Sequence, residues 1–199
     1  EFIRKGATAA DHVEGGKRIV AAGISLCEYI IPGLGGESWS REHAVATAAA
    51  VNAINPDFVR LRSLQVVKGT GLYERMQNGE FTPQGDEETV REIRLFIENL
   101  TGVRTTIVSD HILNLLEEVE GKLPEDRDRI LAVIDMYLSL PEQDRMIFRL
   151  GRRQGIYRRL TDLNDPLMYG RLKAVTDEYV PDDAGRFEAD LKELMHHYI

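Results

Sequence analysis

Three groups of residues in this 199-residue chain have the types and spacing to do chemistry. The first is IIPGLGGES at Ile30–Ser38, where Gly33, Gly35 and Gly36 follow an apolar run. Glycines at the end of a strand let the backbone turn tightly and let a ligand approach it closely. The second is the pair Arg60 and Arg62. Two positions apart in an extended segment, they share one face with Phe58 and Leu64. Guanidinia on an inward face must be paired or hold a ligand, because unpaired buried charge is expensive. Glu28, on the preceding apolar run, is the candidate partner. The third is Arg145, Arg149, Arg152 and Arg153, whose i, i+4, i+7, i+8 spacing places four cations on one helix face. They belong to the basic segment Arg145–Arg159, which holds six arginines and no acid.

Other chemically suggestive residues carry plainer expectations. Ser109, Asp110 and His111 have the types of a hydrolase or metal site. Neighbours on a strand point to opposite faces, however, so they cannot form a triad among themselves, and a capping or strand-end role is expected. His196–His197 falls in a last helical turn, where it complements the helix dipole. Cys27 lies within an apolar strand and reads as a small core residue.

The elements that must position these groups follow from periodicity and punctuation. A lightly amphipathic helix over 7–22 ends at Gly23, and Ile24–Pro32 is a nearly continuous apolar run, as in a strand covered on both faces. Ser40 is placed to cap an alanine-rich helix that reaches Ile54 and stops at Asn55–Pro56. Phe58–Leu64 is the second strand. Asp86 is placed to cap a helix with Val90, Ile93, Ile97 and Leu100 on one stripe, and Thr105–Val108 is a third strand. That βαβαβ order predicts a parallel sheet with right-handed crossovers, whose ligand side is where the strand-end loops gather. From His111 onward the pattern is helical. Ile130, Val133, Ile134, Tyr137 and Leu138 form one stripe, Asp165–Pro166 starts another helix, and Phe187, Leu191, Leu194 and Tyr198 share a face of the last one.

Composition bounds the function classes. A net charge of −8 argues against bulk nucleic-acid binding. No run approaches the roughly 20 apolar residues of a membrane-spanning helix, so no membrane partner is expected. One cysteine excludes an internal disulfide framework and any all-cysteine metal cluster built from this chain alone, and it fits a reducing cytoplasm. The chain opens at Glu1 in what reads as a helix already under way, so the expectation is a piece of a longer protein.

Two segments carry a family resemblance. IIPGLGGES at Ile30–Ser38 resembles the fifth-strand segment of radical S-adenosylmethionine proteins. VVKGTGLYERM at Val66–Met76 resembles the loop after their sixth strand, with Lys68 and Gly71 standing where that pattern often has prolines. NPDFVRLRSL between them, VSDH at Val108–His111 and LPEDRDRIL at Leu123–Leu131 extend the likeness over roughly residues 1–135 to an uncharacterised branch of these iron–sulfur oxidoreductases. The resemblance implies the C-terminal portion of a partial TIM-like (β/α)6 barrel over 1–122, with about three parallel strands, followed by an all-helical module over 123–199. It also implies S-adenosylmethionine and a four-iron–four-sulfur cluster in the parent protein. The family's three-cysteine motif is absent here, so this chain alone is expected to bind neither the cluster nor S-adenosylmethionine and to be inactive in radical generation.

Carried over by the resemblance, Ile31 and Gly33 match positions near the adenine and Tyr29 points into the same cavity. Leu64 and Val66 match the adenine edge, and Arg62 addresses the ribose, the carboxylate or the unknown substrate. A parity conflict accompanies this. If Tyr29 and Ile31 face inward, Glu28 faces the helices, so a Glu28–Arg62 pair and the carried-over pocket exclude each other. The rival reading is a helical interaction module that binds RNA or another anionic partner through the arginine face, against the plainer reading of a solvated face. A third is an independent nucleotide-binding protein using Gly33–Gly36. Exposed sheet edges predict a homo-oligomer that covers them.

Overall fold

The computed structural model describes residues 6–179 and 184–196. Thr8 opens the first helix, α1 (Ala9–Ala21). Its hydroxyl accepts from the Asp11 N–H while the Asp11 carboxylate accepts from the Thr8 N–H, satisfying donors that the helix itself leaves over. Gly16 sits buried where α1 crosses the next helix. A methyl there would lie 2.8 Å from Ile54 Cγ2, so this glycine, costly to helix propensity, is what lets the two axes approach.

The chain continues through β1 (Cys27–Ile30), α2 (Ser40–Ile54), β2 (Phe58–Leu61), α3 (Gly71–Gln77), α4 (Asp86–Glu98), β3 (Thr106–Val108) and β4 (Gly121–Lys122). The helices α5 (Arg127–Ser139), α6 (Glu142–Arg153), α7 (Pro166–Thr176) and α8 (Ala184–His196) follow, with a 3-10 turn over Leu160–Asn164. Asp165 caps α7 as its sequence suggests, accepting from the Leu167 and Met168 N–H groups ahead of Pro166. Ser40 and Asp86 are instead the first residues of their helices, after Trp39 and Gly85.

The sheet order is β1-β2-β3-β4. The first three strands are parallel, and β4 pairs antiparallel with β3. This corrects the expected portion of a (β/α)6 barrel. The strands are two to four residues long, too short and too few to curl round on themselves. The antiparallel β4 also ends the parallel series on the β3 side, where a barrel would continue in the same sense. The result is a small mixed sheet within a largely helical molecule. The stretch from His111, expected to be helical, holds β4 instead.

One face of the sheet meets helices. Val59, Leu61 and Ile107 are fully buried there, in a core shared with Val51 of α2, Ile97 of α4 and Ile130 and Ile134 of α5. Glu28 also points to the helix side, where its carboxylate lies 3.1 Å from His12 Nε2 of α1. The opposite face carries Tyr29, Arg60 and Val108 in register, and Tyr29 and Phe58 on it remain 57% and 41% exposed. The sheet is therefore covered on one side and open on the other. No described helix is long and apolar enough to cross a membrane.

Candidate functional site

Three structural features meet at the carboxyl ends of the parallel strands: the glycine turn, a polar cluster on the open face, and a cavity on the helix side. The Gly33 and Gly36 N–H groups of the glycine turn are already engaged, the latter by the Gly33 carbonyl at 2.9 Å. The Gly33 N–H donates to Glu92 Oε1 at 2.9 Å, and His43 Nδ1 lies 2.8 Å from the same oxygen. Gln84 Nε2 donates to Glu92 Oε2 at 2.6 Å and to the Gly36 carbonyl at 2.9 Å. A buried carboxylate from α4 thus stands where an anionic ligand would, and that removes the basis of the independent nucleotide-binding reading. Burial alone would raise the Glu92 pKa; the His43, Gly33 and Gln84 contacts outweigh it and hold the carboxyl below its usual range. Because an ionised carboxylate can only accept, His43 Nδ1 carries the proton of that bond.

Gly36 explains why the turn has no room for more. Its φ is +60°, and a Cβ there would lie 2.6 Å from the Phe81 ring and 2.7 Å from the Thr82 carbonyl. Gly36→Ala combines a left-handed backbone cost with overpacking. It is expected to lower the unfolding free energy by about 2–4 kcal/mol in urea denaturation. A loss below about 1 kcal/mol would show that the turn is not held this tightly.

On the open face, Arg62 Nη1 donates to Asp110 Oδ1 at 2.8 Å, and Arg60 Nη1 lies 3.1 Å from Asp110 Oδ2. The Arg62 guanidinium also stacks over the Tyr29 ring, 5.1 Å from its centre. Asp110 is the partner that sequence reasoning did not supply: the Glu28–Arg62 pair does not form, because Glu28 faces α1. The parity argument is resolved in favour of Tyr29 on the arginine side. The Arg62 hydrogen bond and the two arginine charges hold Asp110 below the usual carboxylate range, whereas burial and Arg62 push His111 down. Ser109 turns the other way, buried, with its hydroxyl donating to the Leu116 carbonyl. Ser109, Asp110 and His111 are therefore not a triad.

The six residues carried over from the family resemblance divide between these features. Tyr29 and Arg62 belong to the open-face side, and Ile31 follows β1, half-buried. Gly33 is buried under Glu92. Leu64 and Val66 line a cavity of about 370 Å³ whose walls include Val90 and Ile93 of α4 and Leu191 of α8. Cys27 is a half-buried free thiol on β1.

The arginine stripe is not a solvated face. Arg149 donates to Asp86 at 3.1 Å and to Glu188 at 2.6 Å, and its guanidinium also lies over the Phe187 ring. Arg153 bonds to Asp86 and to the Leu113 carbonyl. Arg152 donates to three carbonyls, those of Asn114, Leu115 and Tyr157, and is paired with Glu117. Arg145 pairs with Glu87 at 2.7 Å. These side chains staple α6 to the start of α4, the loop after β3 and α8. Asp86 and Glu188 were missed because nothing near Arg149 in sequence announces them. The only signal was three acids, Asp86, Glu87 and Glu88, opening a helix, which dipole complementarity already explains. The His196–His197 pair and Tyr198 lie outside the described side chains.

Among proteins of known sequence, the chain is 30% identical over 101 residues to an uncharacterized protein of Methanocaldococcus jannaschii, a match covering 51% of this chain and 31% of that protein. It is 27% identical over 94 residues to the tRNA uridine(34) acetyltransferase of the same organism, covering 47% of this chain and 17% of the enzyme. The corresponding enzyme of Methanocaldococcus infernus is 26% identical over 94 residues, covering 47% and 18%. The matched stretch thus spans less than a third of the length of each relative. No family model matches the chain. No solved structure matches it significantly.

Proposed function

We propose that this chain supplies cofactor- and substrate-facing strand ends to a radical S-adenosylmethionine iron–sulfur oxidoreductase whose cluster ligands lie outside these 199 residues. The observation that carries the reading is the open sheet face. Tyr29 and Arg62, two of the six residues that the family resemblance assigns to the cofactor, lie on one side of the sheet at its carboxyl end, and Tyr29 is exposed there. Open sheets bind ligands at the carboxyl ends of their strands.

The cluster does not fit this chain: Cys27 is its one thiolate source, and among the described residues no group of three His, Cys, Asp or Glu side chains could hold a metal. S-adenosylmethionine fits the open face better. Tyr29 offers an exposed ring for a base, while Arg62 keeps Nε and Nη2 clear of hydrogen bonds among the described residues, so they can meet a hydroxyl or carboxylate. When bound beside a cluster, S-adenosylmethionine supplies a carbon radical. The part of these side chains is to bind and orient it, with Asp110 holding Arg62 in place.

The test is a calorimetric titration of S-adenosylmethionine into the chain. Although the missing cluster motif implied no cofactor on this chain alone, the exposed Tyr29 and the Arg62 beside it lead us to expect saturable binding, weakened about 10–100-fold in Arg62→Ala, the loss of one charge-assisted contact. Absence of saturable binding by the wild-type chain would overturn the reading.

A second reading, an RNA-contacting module, is favoured by the two relatives named for tRNA. It cannot draw on Arg149, Arg152 and Arg153, which are buried, and would fall to the exposed Arg158 and Arg159. Either reading places the protein in the cytoplasm. Salt-dependent RNA binding that is lost in Arg158→Glu/Arg159→Glu would favour this second reading over the first.

A further inference from the structure

On the helix side of the strand ends, opposite Tyr29 and Arg62, lies the 370 Å³ cavity, whose Leu64 and Val66 the family resemblance puts at the adenine edge but which the open-face reading does not use. Part of the cavity's polar lining is already satisfied, although Gln84 Oε1 is buried with no hydrogen-bond partner among the described residues. Ser63 donates its N–H and its hydroxyl to Asn114 Oδ1, and Asn114 Nδ2 donates to the Leu61 carbonyl and to Ser109 Oγ. Ser63, Ser109 and Asn114 thus spend these polar groups on one another and on backbone. The walls are aliphatic, with Leu64, Val66, Val90, Ile93 and Leu191 among them. Protein interiors hold few voids larger than a water molecule, because lining atoms without partners forfeit their dispersion contacts. A pocket of this size, mostly apolar with a few charged groups, has the proportions of a small-molecule site.

The charges around the cavity select the sign of the ligand. Four charged side chains line it: Asp86, Glu188, Lys68 and Lys192. The two carboxylates are already engaged by Arg149 and, for Asp86, by Arg153 as well. The two lysines are exposed and have neither a hydrogen bond nor an ion pair among the described residues, so they mark where the cavity meets solvent with uncompensated positive charge.

We propose that this cavity binds an amphipathic anion, with an aliphatic chain between α4, α8 and the loop after β2, and its carboxylate or phosphate head at Lys68 and Lys192. The site stands whether or not the opposite face meets S-adenosylmethionine.

The experiment titrates the 199-residue chain by calorimetry with dodecanoate, dodecyl phosphate and dodecyltrimethylammonium, each kept below micelle formation. Native mass spectrometry reads the stoichiometry. One-to-one saturable binding of at least one anion is expected, the tighter of the two identifying the head group, with the cation at least tenfold weaker. Binding should also raise the melting temperature, since the unfolded chain has no such cavity. Lys68→Glu/Lys192→Glu should reverse the preference between anion and cation. Val66→Trp, which fills the cavity from the loop, should weaken the anion at least tenfold. If that variant does not fold, Met76→Trp fills the site from α3. No saturable binding of either anion, equal binding of the cation, or an unchanged preference in the lysine double variant would overturn the proposal.

Discussion

Asp86→Asn is expected to lower the unfolding free energy by about 3–5 kcal/mol, a large part of the stability of a domain this size. The reason is the geometry around a single carboxylate. Asp86 accepts from Arg149 at 3.1 Å and also bonds Arg153, and these side chains are only 6% and 3% exposed. Asparagine keeps the shape but removes the charge that makes two buried guanidinia tolerable. Glu188, 38% exposed, reaches Arg149 and cannot replace the contact with Arg153. A double-mutant cycle with Arg153→Met separates the pair from the rest: part of the loss should be recovered when the buried cation is removed as well. If Asp86→Asn costs no more than an exposed Asp→Asn change, below about 0.5 kcal/mol, the staple is not carrying the packing of α6 on α4.

Glu92→Gln is the second large effect, at about 2–4 kcal/mol. The carboxylate accepts from the Gly33 N–H, His43 and Gln84 at once. An amide has one acceptor oxygen, so its NH2 must face either the Gln84 donor or the Gly33 and His43 donors. The substitution therefore leaves a donor opposite a donor in a buried site. Its signature is local as well as global. Amide exchange at Gly33 should speed up well beyond that of Val59 in the core, because the turn is pinned by this carboxylate. Unchanged exchange at Gly33 would contradict the role assigned to Glu92.

Asp86 and Glu92 together make the fold acid-sensitive, with a definite sign. Burial works to raise the Asp86 pKa, yet Arg153 and Arg149 hold it below its ordinary value, and Glu92 is lowered by its own contacts. Carboxyls depressed in the folded state contribute stability that is fully present above their unfolded values, near 4, and is lost as the pH falls through the folded ones. Stability measured by denaturant should be level down to about pH 5 and then decline, and the decline should be shallower in Asp86→Asn. An equally steep acid limb in that variant would sink the assignment.

Much of this architecture was legible in the chain. Val90, Ile93 and Ile97 do lie on the buried face of α4, with Leu100 buried just past its end, and Asp165–Pro166 does start α7. The period-two pattern held over Phe58–Leu61, separating Val59 and Leu61 from Phe58 and Arg60, but β2 ends there, and Leu64, expected on the arginine face, lines the helix-side cavity with Ser63. The same rule showed that Glu28 and Tyr29 cannot share a side. What failed has identifiable causes. Two-residue β4 is too short to show a period, so the loop around it read as helix. The arginine stripe of α6 read as a solvated face because a helix wheel shows which residues align, not what they meet. Its partner Asp86 lies 63 and 67 residues away from Arg149 and Arg153. Glu92 is 59 residues from Gly33, so the glycine turn looked like a vacant anion cradle until the fold filled it from within.

By itself, then, the sequence determined the order of most elements, the two faces of the central strands, and the fact that one cysteine cannot ligate a cluster. These are local properties, set by backbone periodicity, turn chemistry and the supply of donor atoms. The tertiary structure alone decided that the strands form a small mixed sheet with one open face, that Asp110 rather than Glu28 holds Arg62, and that four arginines point into the molecule. Each of those depends on which distant residue arrives opposite, and that is settled only when burial forces every charge to find a partner.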